Sequence, residues 1–145
     1  MAVARELVVY MKRQGGQEQF SEPLRFQLAA RDRLRDLADY VTAHLGRDLS
    51  VPVLAEQLGL SPRQLSRLCQ RELGHAPAAL VQRLRLDDAR RRLLEPGASV
   101  DLVSSAVGFG SADVFRRAFE QRFGLNPSAY RQRFRAPRAR RRGAA

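Results

Sequence analysis

The stretch 107-VGFGSADVFRRAFEQRFGLNP-127 decides the fold, because it repeats the pattern of 58-LGLSPRQLSRLCQRELGHAP-77 in the same short chain. Glycine and apolar residues recur at matching positions, whereas the polar residues differ. With one residue inserted in the second copy, the pairs are Gly59 and Gly108, Leu60 and Phe109, Leu65 and Phe115, Cys69 and Phe119, Leu73 and Phe123, Gly74 and Gly124, and Pro77 and Pro127. The repeat keeps a scaffold and varies a surface, as expected of two copies of one recognition element facing two different targets.

The first copy carries the signals of a helix-turn-helix. Ser61 and Gln64 fit a capping box with Pro62 at the first helical position, so a helix should begin there. Gly59 can end the preceding helix, which we place at 51–58 with Ser50 as its N-cap. A helix, a short glycine turn and a second helix form this motif. Four leucines should form the wedge that fixes the interhelix angle: Leu54, Leu58, Leu65 and Leu68.

The second copy repeats this helix-turn-helix pattern with different capping residues. Gly108 should end its first helix, and Ser111 should cap the next. The residues expected to face the core are Leu102, Val103, Ala106 and Val107, followed by Phe115, Ala118 and Phe119. The phenylalanines of this copy should make it the better-packed half.

The rest of the chain also shows helical patterns. An apolar stripe runs from about Asp32 to Leu45, a long amphipathic segment occupies about 77–95, and Asn126 should cap a final helix at about 127–135. No strand pattern is present, so we expect an all-α fold with two helix-turn-helix subdomains joined by a long linker helix. We assign residues 1–30 to a flexible leader or the remnant of an upstream sensor domain, 31–135 to the double helix-turn-helix domain and 136–145 to a basic disordered tail. Within the domain, the first unit spans about 50–75 and the second about 99–124.

Charge and composition limit the function. The formal net charge is +11, which favours an anionic partner such as nucleic acid over an acidic metabolite, with an anionic membrane surface as the competing interpretation. No apolar run approaches the roughly 20 residues that span a bilayer, and no secretory signal is visible. We therefore expect a soluble, cytoplasmic protein that does not act at a membrane.

An enzyme is not indicated. His44 and His75 lie near no cysteine or paired carboxylate at metal or catalytic spacing. Cys69, the single cysteine, falls on the predicted core face, where it acts as a small apolar filler rather than a nucleophile. We expect no catalytic residue, no metal site and no cofactor.

The polar faces of the two second helices are the candidate recognition surfaces. Opposite the apolar side of the first lie Arg63, Ser66, Arg67 and Gln70; the corresponding face of the second holds Ala112, Asp113, Arg116, Arg117 and Glu120. Arginine can bond a guanine edge with two donors, and aspartate can accept from a cytosine amine. Such a face can also be merely solvated, but the glycine turn before each helix and the duplication favour base contact.

The sequence resembles that of a known protein family in three segments. Residues 31–135 resemble the DNA-binding domain of the AraC/XylS family of bacterial transcription regulators. The resemblance rests on 54-LAEQLGLSPRQLSRLCQRELG-74, 84-LRLDDARRRLL-94 and 107-VGFGSADVFRRAFEQRFGLNPSAYR-131. It implies two helix-turn-helix units bridged by a long helix, with both recognition helices in successive major-groove segments. The sequence departs from the family pattern at Cys69, Leu80 and Ser104.

Carried over by position, the resemblance implies a set of base-contacting residues: Arg63, Ser66 and Arg67 in the first unit, and Asp113, Arg116 and Arg117 in the second. The segment 3-VARELVVYMKRQGGQEQFS-21 further resembles the junction in a subgroup whose DNA-binding part follows a class I glutamine-amidotransferase-like sensor domain. The chain would then be the C-terminal part of a longer regulator.

The expected partner is double-stranded DNA, bound by a monomer at two different half-sites about 34 Å apart. Phosphate contacts should come from the helix N-termini at Ser61, Ser111 and Asn126 and from Arg131. RNA polymerase is a further expected partner. The alternative function is a protein-interaction module that docks on RNA polymerase and binds DNA without sequence preference.

Overall fold

A computed structural model of the protein describes residues 21–135, with side chains from Leu24 onward. This part of the chain contains α-helices and no strand, so the expectation of an all-α fold is confirmed. The helices are α1 (Ser21–Ala43), α2 (Val51–Leu58), α3 (Pro62–Leu73), α4 (Pro77–Leu93), α5 (Val100–Ala106), α6 (Ala112–Phe123) and α7 (Pro127–Phe134).

The first helix differs from the prediction. It begins at Ser21, well before the expected start at about Asp32, so residues 21–30 of the predicted flexible leader are helical. Pro23 lies in the first turn, where its missing amide hydrogen costs little, and no glycine or proline interrupts the chain from Leu24 to Ala43. The remainder of the predicted leader, 1–20, and the predicted tail, 136–145, lie outside the described residues.

The chain divides into two compact units, Met1–Arg85 and Leu86–Ala145, here called the N-terminal unit and the C-terminal unit. Helix α4 supplies its first part to one and its second part to the other. The N-terminal unit has an aliphatic core, in which the side chains are at most 6% exposed. Its main members are Leu34, Leu37 and Val41 of α1, Leu54 of α2, Leu65, Leu68, Cys69 and Leu73 of α3, and Leu80 and Leu84 of α4.

The C-terminal unit has an aromatic core. Phe115 and Phe119 are fully buried, and the Phe119 ring centroid lies 5.6 Å from those of Phe115 and Tyr130 and 4.6 Å from that of Phe123. The cluster joins α6 to α7, since Tyr130 belongs to α7. Phenylalanine therefore fills in this unit the space that leucine and cysteine fill at the equivalent positions of the N-terminal unit.

One expectation for α5 is wrong. Val103 and Val107 are buried, but Leu102 is 68% exposed and Ala106 is exposed. Both pairs have the i, i+4 spacing of a helix face, so the sequence alone offers two equivalent apolar stripes. The buried Ser104, 3% exposed, lies beside the valine stripe and completes the inward face in place of Leu102.

The predicted turns have the expected geometry. The Ser61 hydroxyl accepts from the Gln64 amide at 3.1 Å, and the Gln64 side chain accepts from the Ser61 amide at 2.8 Å. Gly59 ends α2 with a φ of 69°, a left-handed conformation that glycine adopts without steric cost. The capping box and its glycine turn are therefore confirmed.

The other predicted caps divide into two groups. Ser111 accepts from the Val114 amide at 3.1 Å, and Asn126 from the Ala129 amide at 2.8 Å, as expected. Ser50 occupies the N-cap of α2, but its side chain makes no capping bond. Instead the Ser50 amide donates to Asp48 Oδ1 at 3.0 Å, so Ser50 is the N-cap residue as predicted, while the aspartate side chain organises this turn.

Candidate nucleic-acid interface

The first candidate face lies on α3. Arg63, Arg67 and Gln70 are exposed and Ser66 is half-buried, while Leu65, Leu68 and Cys69 on the opposite side are buried. Among the residues with described side chains, neither Arg63 nor Arg67 forms an ion pair. Two guanidinium groups on this face are therefore available to bind an external anion or a base edge.

The second candidate face lies on α6 and differs in charge. Asp113, Arg116, Arg117 and Glu120 are exposed. Arg116 Nη1 lies 2.9 Å from Asp113 Oδ1, so the predicted acidic and basic residues of this face bind each other. The pair is held one helical turn apart on the helix surface. Only Arg117 among the predicted base-contacting arginines of α6 has no intrahelical ion pair in the described part of the chain.

Val114 on the same helix was not among the predicted residues. Its side chain is 47% exposed in the first turn of α6. An apolar group at the start of a recognition helix can contact the methyl group of thymine. The sequence could have indicated this residue, because it lies three positions before Arg117, and residues three apart in a helix have adjacent side chains on its surface.

The predicted phosphate-contacting residues lie at helix N-termini, apart from Arg131. Ser61, Ser111 and Asn126 are the N-caps of α3, α6 and α7. Each side-chain oxygen satisfies the amide at the third helical position, which leaves earlier amides unbonded within the helix. Since the helix dipole also favours negative charge at this end, these termini suit phosphate oxygens. Arg131 is half-buried within α7.

Helix α6 is fixed by a buried ion pair to α4. Arg122 Nη2 lies 2.7 Å from Asp87 Oδ1, and Asp87 is almost fully buried. The guanidinium groups of Arg122 and Arg90 also lie over the Phe123 ring, at 5.1 Å and 4.8 Å from its centroid. These contacts hold the C-terminal half of the helix that carries the second candidate face.

The equivalent position in α3 has no such tether. Glu72 corresponds to Arg122 and pairs with its exposed neighbour Arg71 at 3.2 Å. The orientation of α3 is instead set by apolar packing, to which α1 contributes Leu34, Leu37 and Val41. The two candidate faces are therefore positioned by different physical means.

The remaining acidic residue of the linker helix is a structural group. Asp88 is 2% exposed and binds Arg91 and Arg92, one turn further along α4. Its two arginine partners offset the cost of burying its charge. The 87-DDARRR-92 segment therefore serves the fold of the C-terminal unit rather than a catalytic site.

Cys69 is shielded as the sequence indicated. Its side chain is fully buried, and this burial raises the pKa of the thiol to about 11. The thiolate is the reactive form of cysteine, so this residue packs as a small apolar group. Within the described part of the chain, no three histidine, cysteine or acidic side chains come together as metal ligands. In the same residues, no helix has the length and apolar character to cross a bilayer.

Comparison with known proteins identifies the architecture. A family model described as a helix-turn-helix domain matches residues 54–133. An HTH-type transcriptional regulator of Mycobacterium tuberculosis is 40% identical over 81 residues, which are 56% of this chain and 31% of that protein. The regulator GbdR of Pseudomonas aeruginosa is 30% identical over 132 residues, 90% of this chain and 36% of GbdR. The chain thus spans about a third of the length of these relatives.

Solved structures of DNA-binding domains have a similar fold. A transcriptional regulator of Chromobacterium violaceum with an AraC-type DNA-binding domain superposes with a TM-score of 0.70 at 28% identity, covering 76% of this chain and 98% of the other. The DNA-binding domain of the global transcriptional factor AdpA, solved in complex with a target DNA, gives a TM-score of 0.65 at 31% identity and covers 75% and 96%.

Proposed function

We propose that this chain, which belongs to the AraC/XylS family of helix-turn-helix transcription regulators, binds specific DNA sequences. It would do so by inserting α3 and α6 into successive major-groove segments. The members of this family are DNA-binding proteins rather than enzymes. We place this activity in the bacterial cytoplasm. The observation that carries the proposal is the pair of exposed polar faces, each on the second helix of a glycine-turn motif and each opposite a buried core. AdpA, whose DNA-binding domain resembles this chain, was solved with a target DNA bound.

The faces support two different half-sites. On α3 the proposed base-contacting residues are Arg63, Ser66 and Arg67. The two arginines are positively charged hydrogen-bond donors, and the serine is uncharged and can donate or accept. On α6 they are Asp113, Arg116 and Arg117, to which we add Val114. Arginine suits guanine, aspartate suits the cytosine amine and valine suits the thymine methyl group. Because the side chains differ, the two half-sites should differ in sequence: α6 offers a carboxylate for a cytosine amine and an apolar group for a thymine methyl, and the proposed contact residues of α3 offer neither.

The Asp113–Arg116 pair gives the second face a conditional element. A carboxylate near the DNA backbone is repelled by phosphate unless it finds a donor such as the cytosine amine. On a preferred site we propose that Asp113 and Arg116 separate to contact bases, and that they remain paired on other DNA. Phosphate contacts by the N-termini of α3, α6 and α7 and by Arg131 fix the register.

Selection from a random pool of DNA duplexes tests the proposal. Fluorescence anisotropy at two salt concentrations should recover a preferred bipartite site, with half-sites about 34 Å apart and tighter binding as salt falls. A variant lacking both Arg67 and Arg117 is the matched control, since it keeps the fold and most of the positive charge. Uniform binding across the pool by the unsubstituted protein would refute sequence-specific recognition by this chain.

A second candidate function is docking on RNA polymerase with only non-specific DNA binding. The residue to test for it is Leu102, a large apolar side chain 68% exposed on α5; a single exposed leucine is ordinary on a protein surface, so the experiment and not the exposure decides. Binding of purified RNA polymerase that depends on Leu102, together with no preferred DNA sequence, would support this function over the first. A preferred DNA site that Leu102→Ser leaves intact would support the first.

A further inference from the structure

The N-terminal unit contains an open groove beside its recognition helix. The groove has a volume of about 630 Å³ and runs between the first half of α1 and the exposed side of α3. This volume falls within the roughly 300–1,000 Å³ of small-molecule sites. The α1 residues on the groove lie at 26–33, largely in the segment where we expected a flexible leader.

The groove has an apolar floor and one uncovered aromatic side chain. Leu68, which is buried, and Leu60, which is half-buried, lie along it. Phe26 lines its edge with 76% of its surface exposed. Leaving an aromatic ring in water forgoes the free energy that its burial would supply. A flat apolar group lying against Phe26 and the two leucines would remove this surface from water.

The polar side of the groove is cationic. Arg33, Arg67 and Arg71 line it, against a single acidic side chain, Glu72. Glu72 is engaged by Arg71 at 3.2 Å, and Arg33 donates to the Leu58 carbonyl at 3.3 Å, a bond that leaves its positive charge in place. Three positive charges and one negative charge leave a net charge of +2, which complements an anion. A planar carboxylate matches the geometry of guanidinium, which can bind it through two parallel hydrogen bonds.

We propose that this groove is a binding site for an organic anion with a flat apolar body, of the aryl carboxylate class. The aryl ring lies against Phe26 and the leucine floor, and the carboxylate binds Arg67 and Arg71. Arg67 is also a proposed base-contacting residue, so a bound anion withdraws it from DNA. This second consequence rests on the proposed function, whereas the binding itself does not.

Direct binding, measured without DNA, tests the site. Titration of the full chain with 2-naphthoate in a calorimeter should show saturable binding of one molecule. 2-Naphthamide has the same shape without the charge, and it should bind at least about tenfold more weakly, because the charged pair with guanidinium is lost. Absence of saturable binding by 2-naphthoate, or equal binding by the amide, would overturn the proposal.

Substitutions locate the bound molecule. Phe26→Ala should weaken 2-naphthoate binding about tenfold through lost aromatic contact, and Arg71→Gln should weaken it about threefold because one exposed cation is lost. Both side chains are exposed, so the fold should be unchanged by circular dichroism. Leu28→Ala is the matched control, because Leu28 is 47% exposed on the same helix and does not line the groove.

Equal weakening by Leu28→Ala and Phe26→Ala would overturn the assignment to this groove. So would concentration-dependent self-association that disappears in Phe26→Ala, because a second copy of the chain would then cover the ring. Sedimentation velocity of the two proteins distinguishes this case.

The consequence for DNA is tested separately. With a site selected in the absence of ligand, 2-naphthoate should lower the affinity of the unsubstituted protein, and the loss should disappear in Phe26→Ala. If 2-naphthoate binds but leaves DNA affinity unchanged, the proposed competition at Arg67 is refuted. If no selective DNA site exists, the proposed function fails while the calorimetric result still decides the groove.

Discussion

The two helix-turn-helix units use the same backbone geometry and different interiors. Gly74 and Gly124 end α3 and α6 in the same left-handed conformation, with φ of 81° and 83°. Behind these turns, Cys69 fills the position that Phe119 fills in the other unit, and both are fully buried. The smaller side chain is accommodated where the 23-residue α1 supplies leucines, and the larger one where the 8-residue α7 packs. The comparison shows that the motif fixes positions, while each core is completed by whatever flanks it.

The largest expected effect breaks the aromatic core. Phe119→Ala should lower the free energy of unfolding by about 3–5 kcal/mol, because it removes a buried ring and leaves a cavity among Phe115, Phe123 and Tyr130. Urea denaturation followed by circular dichroism measures it. Val114→Ala is the control, since Val114 is 47% exposed on the same helix and should cost below about 1 kcal/mol. Similar losses for both would contradict the assignment of Phe119 as the centre of the core.

The second effect tests the tether that only α6 has. Asp87→Asn should destabilise the protein by about 2–3 kcal/mol, because it leaves the Arg122 guanidinium partly buried without its counter-charge. The matched variant Glu72→Gln alters the equivalent position of α3, where the partner Arg71 is 63% exposed and stays solvated without the pair, and it should cost less than about 1 kcal/mol. Denaturation curves of the two variants under one buffer give the difference. Equal costs would mean that α4 does not fix α6 through Asp87.

A third effect separates the two faces on DNA. Arg67→Ala and Arg117→Ala occupy equivalent positions, and each should weaken binding to a preferred site by about 1–3 kcal/mol while hardly changing binding to random DNA. The losses should fall on different half-sites when each half is altered in turn. Anisotropy titrations of the two variants, each with DNA altered in one half-site or in the other, measure this. Equal losses on preferred and random DNA would remove these arginines from base contact.

A smaller effect concerns the small side chain that replaces an aromatic ring. Cys69→Ala should cost about 1 kcal/mol, since only one buried sulfur atom is removed. Because burial raises the pKa of the Cys69 thiol to about 11, the native protein should react with a thiol-specific disulfide reagent far more slowly than the unfolded protein. Absorbance kinetics with and without urea compare the two rates. Rapid reaction of the native protein would show that the first core opens readily.

The smallest effect is a pH dependence in the N-terminal unit. Burial lowers the pKa of the His75 imidazole below 6.5, and the positive charge of Arg83 adds to the shift. The unfolded chain then binds more protons, so stability declines as pH falls through 6.5. His75→Gln should flatten this part of the profile between pH 7.5 and 5, measured by chemical denaturation. Leu125, not histidine, follows Gly124 in the second copy, so no matching pH dependence is expected there. An unchanged profile in His75→Gln would refute the assignment.

How far the sequence predicts the structure depends on the kind of interaction. Capping by Ser61, Ser111 and Asn126 could be predicted because the partners lie three residues apart in the chain. Cys69 and Phe119 could be placed in the core from their helical spacing. The choice between Leu102 and Val103 could not, because both stripes are apolar and only the surrounding packing distinguishes them.

Longer-range features of the candidate site were also beyond the sequence. The Asp87–Arg122 pair joins residues 35 positions apart, and nothing local marks the two as partners. The early start of α1 was missed because residues 24–29 form no buried stripe, which is the signal that periodicity detects. The groove beside α3 depends on that segment, and its Phe26 could not be assigned a surface from the sequence.

The order of the two units along the chain has a consequence for synthesis on the ribosome. No residue of the N-terminal unit lies beyond Arg85, so its contacts can form while Leu86 and later residues are still being translated. Those residues take about 3–12 s to make at 5–20 residues per second, whereas helical domains with local contacts fold within about a millisecond. The leucine and cysteine core should therefore be able to close on the nascent chain before the phenylalanine core has emerged from the ribosome.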